Sequence, residues 1–184
     1  MPNRAPGSLG LVQDFVNTRE LDRDREEIPT PDALGAWLDG RGLLSRDRVT
    51  EADHVRAVEL RETLRRLLLA NNGAALDPGD LWLLDQVAAD SGLHPRFLPG
   101  GRVTLEPAVP GVPGALGRLL AAVSEAMNAG TWGRLKVCAD HRCLWAFYDR
   151  SKNRSGHWCS MDVCGNRAKA RQFRRRQRSS RPSQ

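Results

Sequence analysis

Along the first 130 residues, apolar side chains recur at helical spacing and are separated by clusters of Gly, Pro and charge. Leu11, Val12, Phe15 and Val16 give a short first helix one apolar face, whereas the next stretch, RELDRDREEIP, has no apolar period and reads as a loop. Thr30 before Pro31 marks a helix start, because proline at the first helical position gives up an N–H that has no helical acceptor. Leu34, Trp37 and Leu38 then form the buried stripe. Thr50 with Asp53 three residues on resembles a capping box. Ala57, Leu60, Leu64, Leu67 and Leu68 continue at helical spacing towards Gly73, which predicts the longest helix and the spine of the core. Asp77-Pro78 opens another helix, carrying Leu81, Leu84 and Val87 and ending near Gly92. HPRFLPGGRVTLEP predicts a two-stranded hairpin around Pro-Gly-Gly. After PAVPGVPG, Leu116, Leu119, Leu120, Val123 and Met127 define a last amphipathic helix that stops at Asn128 to Gly130.

Charge divides the chain at the same place. Residues 134 to 184 carry 14 Lys and Arg against 3 Asp, a net of +11, while the first 133 carry 14 against 19, a net of −5. A helical domain at 1–133 and a basic module at 134–184 follow, and a strongly basic segment is the usual footprint of a polyanion partner. No run approaches the roughly 18 to 20 apolar residues of a membrane span, and the N-terminus has no apolar signal core, so a soluble, cytoplasmic protein is expected.

All four cysteines lie in the basic module: Cys138-x4-Cys143, then 15 residues, then Cys159-x4-Cys164. Two equal short pairs across a loop suit one tetrahedral structural zinc, each pair clamping one edge. Four thiolates leave no open position for catalysis. His141 lies inside the first pair and His157 just before the second, so a three-cysteine site with one histidine stays open as an alternative. Between the pairs, LWAFYDRSKNRSGHW predicts a short hairpin, with Trp145, Phe147 and Trp158 covering the metal.

After Cys159 the chain is expected to turn helical, capped by Ser160 or Asp162 and with Cys164 in its first turn. Arg167, Arg171, Arg174, Arg178 and Arg181 then share one stripe. From Gly165 onward there are eight Lys and Arg and no acid. A zinc held by four thiolates has a formal charge of −2, which leaves the module at +9. That surplus fits the phosphates of a nucleic acid, although the last residues, RSSRPSQ, also read as a solvated tail.

At WCSMDVCGNRAKAR the sequence resembles the CGNR zinc-finger family of stress-related bacterial transcription regulators, which join an N-terminal ABATE domain to this finger. Cys164, Gly165, Asn166 and Arg167 match the eponymous tetrad, and Lys169 and Arg171 the basic continuation. CADHRCLWAFYDRSKN is similar to the family's first cysteine pair and turn, and DFVNT (Asp14 to Thr18) and ELRETLRRLL resemble motifs of the body. Gly156-His157 departs from the pattern, where basic residues are expected.

The resemblance implies a mainly α fold with a treble-clef-like finger, one structural zinc, DNA as partner and a helical domain sensing a small-molecule effector. The DNA-binding candidates are Asn166, Arg167, Lys169, Arg171, Arg174, Arg175 and Arg178. Asp14, Asn17, Thr18 and Arg61 are the candidates for a ligand pocket, against the alternative that they cap helices or form an internal salt bridge. An RNA-binding or ribosome-associated zinc protein and a protein-interaction adaptor remain as other readings. No nucleophile motif, Gly-rich phosphate loop or open metal-site pattern points to an enzyme. A single finger makes few base contacts, so a homodimer would help specificity, but no heptad supplies a seam.

Overall fold

The computed structural model describes residues 4–44 and 48–179, with only the backbone of Arg175, Arg178 and Ser179. Arg181 of the predicted stripe, and the end of the RSSRPSQ stretch, lie outside the described residues. Among the described residues the fold is mainly helical with three small antiparallel strand pairs. The order is α1 (Leu9–Val16), β1 (Arg19–Glu20), β2 (Arg25–Glu26), α2 (Pro31–Asp39), α3 (Glu51–Ala70), α4 (Pro78–Asp90), β3 (His94–Leu98), β4 (Arg102–Glu106), α5 (Gly111–Asn128), β5 (Leu135–Val137), β6 (Ala146–Tyr148) and α6 (Asn166–Ser179).

The helix starts follow the capping chemistry. Thr30 Oγ1 accepts from the Ala33 amide at the head of α2, and Thr50 and Asp53 bond reciprocally at the head of α3. The Asp77 carboxylate accepts from the Gly79 amide before α4. Along α3, Ala57, Leu60, Leu64 and Leu68 are fully buried, and they meet Phe15 of α1, Leu34 and Leu38 of α2, and Leu116 and Leu119 of α5 in one cluster. Each such leucine contributes about 1.5–3 kcal/mol by leaving water. β3 and β4 form the expected hairpin, with Phe97 opposite Val103.

Several expectations are corrected. RELDRDREEIP is not a loop: β1 and β2 pair around a 3-10 turn at Leu21–Arg23, with Asp24 in the left-handed region at φ 51°. Ion pairs hold it, Arg19 to Asp24 at 2.6 Å and Arg61 of α3 to Glu26 at 2.7 Å, so apolar periodicity had nothing to register. α5 starts within the Pro/Gly-rich segment, at Gly111, because Pro113 falls in the first turn, where its missing N–H costs nothing. Leu81 and Met127, assigned to apolar stripes, lie near helix ends and are 48 % and 47 % exposed.

The finger's hairpin also differs. β6 pairs with β5, which precedes the first cysteine, so the Cys138–Cys143 segment is the hairpin's own turn and no hairpin forms between the two cysteine pairs. β5 packs on α3 and β6 on α1, and Leu135, Val137, Ala146 and Tyr148 belong to the same buried cluster as the body. The two halves share one core. Among the described residues, no helix is long and apolar enough to cross a membrane.

Candidate metal centre and nucleic-acid interface

The turn between β5 and β6 shapes the first half of the metal site. The amides of Cys143 and Leu144 both donate to the Asp140 carbonyl, and Leu144 sits at φ 45°, a left-handed residue that folds the chain back and turns both thiols inward. The second half comes from the start of the last helix. Ser160 Oγ accepts from the Val163 amide, a π turn spans Met161–Gly165, and Cys164 sits inside it, as the sequence predicts.

The four sulfurs of Cys138, Cys143, Cys159 and Cys164 lie within 4.8 Å of one another. Cys143 to Cys159 and Cys159 to Cys164 are each 3.7 Å. A tetrahedron with zinc–sulfur bonds of about 2.3 Å has edges of about 3.8 Å, so the donor set fits zinc in number, type and spacing. His141 and His157 are both exposed, and neither joins the cluster. Trp145 and Trp158 pack on the cysteines; Phe147 is buried but outside that cluster.

Crowding also splits the acidities. Hydrogen bonds from Cys143 and Cys159 pull the Cys138 pKa down, while the bond to Cys138 pushes that of Cys143 up. Cys159 is raised by its bonds to Cys138 and Cys143, and Cys164 mainly by burial. Four thiolates in one place need a cation, and one structural zinc supplies it.

α6 leaves this centre carrying the basic stripe. Asn166, Arg167, Lys169 and Arg174 are exposed. Among the described residues of the stripe, Arg167 and Arg171 also make internal contacts. Arg171 Nη1 donates to the Asp140 carboxylate at 3.2 Å, tying the helix to the zinc turn, and Asp140 is 1 % exposed. Arg167 Nη1 meets Asp22 of the β1–β2 turn at 3.3 Å. The side chains of Arg175 and Arg178 lie outside the described set. Sequence reasoning missed Asp140; its signal was an acid between two cysteines of a basic module.

Behind the hairpin lies a buried ion pair. Lys136 Nζ donates to the Asp149 carboxylate at 2.9 Å and to the carbonyls of Arg154 and Gly156, and both side chains are about 5 % exposed or less. The amides of Ser151 and Gly156 also donate to Asp149. A Cβ on Gly156 would lie 2.9 Å from that carboxylate, which explains glycine where a basic residue was expected. Burial alone would raise the Asp149 pKa, but the bonds from Ser151, Lys136 and Gly156 outweigh it and hold the pKa well below the carboxylate range.

A depressed pKa stabilises the fold above the unfolded value, about 3.9, and that contribution is lost as pH falls through the folded value. Asp149→Asn keeps one acceptor oxygen but leaves the Lys136 charge unmatched, at a cost of about 2 kcal/mol. Thermal melts should show a constant gap from wild type above about pH 5 that narrows towards pH 2. A gap that does not change with pH would contradict the assignment.

The body grips the finger through polar side chains. Asn17 bonds both backbone groups of Ala146, accepting from its amide at 2.8 Å and donating to its carbonyl at 3.0 Å, and Gln13 donates to the same carbonyl. Arg65 donates to the carbonyls of Leu144, Val16 and Arg19, and Asn71 to those of Trp132 and Leu135; Asn72 bonds the Val137 carbonyl. Of the pocket candidates, Asn17 therefore serves the joint between body and finger. Thr18 is fully buried and bonds Arg61, and Arg61 also pairs with Glu26 and Glu62. Asp14 pairs with Arg4. Arg65, Gln13, Asn71 and Asn72 were not foreseen, since nothing in one sequence marks which polar residues will meet a distant backbone.

A family model described as "CGNR zinc finger" matches residues 134–177, and the ABATE model, described as "Putative stress-induced transcription regulator", matches residues 9–129. No curated protein matches the chain. The ABATE match covers well over half of the 184 residues, and the finger match falls on the four-cysteine centre. The chain belongs to the ABATE family, whose model carries the description "Putative stress-induced transcription regulator", and it joins that domain to a CGNR zinc finger.

Proposed function

We propose that the finger binds duplex DNA through α6 and that the ABATE body senses a small-molecule effector that adjusts this binding. The observation that carries the reading is α6 itself: a helix with no acid from Gly165 onward, anchored to the zinc turn through Arg171 and Asp140 and exposing Asn166, Lys169 and Arg174. An anchored helix meets a groove in one orientation, and cations on it neutralise phosphates on either side. Arg167 is held by Asp22 of the body, and a phosphate competes with that carboxylate for the same guanidinium.

If about five cations neutralise phosphates, the logarithm of affinity should fall with the logarithm of salt concentration at a slope of about −4 to −5. Fluorescence anisotropy of a labelled duplex over a salt series measures it. A slope near zero would rule out the phosphate-based mechanism.

A further inference from the structure

Between α3 and α4 an open groove of about 580 Å3 crosses the body's surface. That volume suits a small organic molecule. Its charged lining is Arg56 and Arg66 against Glu59, Glu62, Asp77 and Asp80, an excess of acid. At its edge stands Trp82 of α4, 61 % exposed, beside the half-exposed Leu81. An indole left in water beside carboxylates is a stacking surface for a flat cation.

One groove residue is wired to the finger. Glu62 accepts from Arg61 Nε at 2.8 Å through one oxygen and from Arg65 Nε at 3.0 Å through the other. Both arginines are buried, at 4 % and 3 % exposure. Arg65 continues to the Leu144 carbonyl, in the turn that presents Cys143 to the metal. Arg61 continues to Glu26 of β2, whose hairpin carries the Asp22 that meets Arg167 of α6. Two arms therefore run from one half-exposed carboxylate, one to the zinc turn and one to the DNA-facing helix.

We infer that this groove is the effector site and that it takes a planar aromatic cation bearing N–H donors, an arylamidine or aryl-guanidine, which stacks on Trp82 and competes with Arg65 and Arg61 for Glu62. This deepens the sensing role proposed above and rests on it. An amidinium presents the same paired donors to a carboxylate as an arginine does. A ligand that takes Glu62 withdraws the anion that fixes Arg65 and so loosens the zinc turn. The linkage is reciprocal: what loosens the turn also weakens the ligand.

The test uses the full-length, zinc-loaded protein with benzamidine as probe and benzamide as its neutral isostere. Tryptophan quenching and calorimetry read binding, and the rate of zinc transfer to a colorimetric chelator reads the coupling without any DNA. Benzamidine is expected to bind about tenfold more tightly than benzamide and to speed zinc transfer about fivefold, within the usual range of coupling between sites. Trp82→Ala, a change on the surface, should abolish both effects, and Glu62→Gln should weaken binding and speed zinc transfer without any ligand. Equal binding of the two probes, or unchanged binding in Trp82→Ala, would overturn the site. Binding with no change in zinc transfer would overturn the route through Glu62. Failure to bind DNA would sink the DNA-binding reading yet leave each of these results readable.

Discussion

Chelating zinc from the full-length protein is expected to abolish duplex binding and to lower the stability of the whole chain, body included. Structural zinc contributes about 10–16 kcal/mol of apparent binding free energy in small fingers. In a tethered module that loss would stay local. Here β5 and β6 carry Leu135, Val137, Ala146 and Tyr148 into the body's own cluster, and Asn17, Asn71 and Asn72 bond their backbone. When the metal leaves, Cys138 and Cys143 at the ends of that hairpin lose their clamp, and the wall that covers α1 and α3 loosens with them. Calorimetry of holo and chelated protein should show a single transition moved down. A chelated body that melts at the holo temperature would show two independent units and contradict the shared core.

Arg65→Ala is the second large effect, about 3–5 kcal/mol of destabilisation. The side chain is 3 % exposed and serves Glu62 and three backbone carbonyls from two helix-distant segments. Burial lowers its pKa, an effect that the Glu62 charge opposes. Truncation leaves Glu62 short of a partner and strands the Leu144 carbonyl in the zinc turn. Arg65→Lys should recover little, because an ammonium cannot spread its donors over a carboxylate and several carbonyls as a guanidinium fork does. Denaturant unfolding measures the change, and a loss below about 1 kcal/mol would show that these bonds are dispensable.

The features legible in the sequence were those with local causes. The capping of α2, α3 and α4 is written in Thr30, Thr50 and Asp77, each acting within three residues of itself. The zinc ligands were legible for a similar reason: two pairs at equal spacing describe two turns, and the geometry of four sulfurs follows from the metal. What stayed hidden depends on distant partners. The β1–β2 hairpin is fastened by Arg61 from a helix 35 residues away, so its own composition looked like loop. Arg171 lies on the basic stripe, and nothing in its own neighbourhood announces its contact with the buried Asp140, 31 residues upstream. Asn17 is a pocket candidate weighed against an internal structural role, and its bonds to both backbone groups of Ala146, a strand residue of the finger, are of the internal kind. A buried polar group needs a partner, and sequence alone does not say which.

Whether α6 holds DNA is read most directly from duplex affinity of the zinc-loaded protein beside Lys169→Ala/Arg174→Ala, two exposed positions on that helix, at fixed salt and with structured RNA as competitor. The variant is expected to keep its zinc and its melting temperature and to lose about tenfold or more in affinity with a shallower salt slope, and RNA is expected to compete poorly against the wild type. Unchanged duplex affinity in the variant, or a wild type that prefers the RNA, would contradict DNA binding through α6.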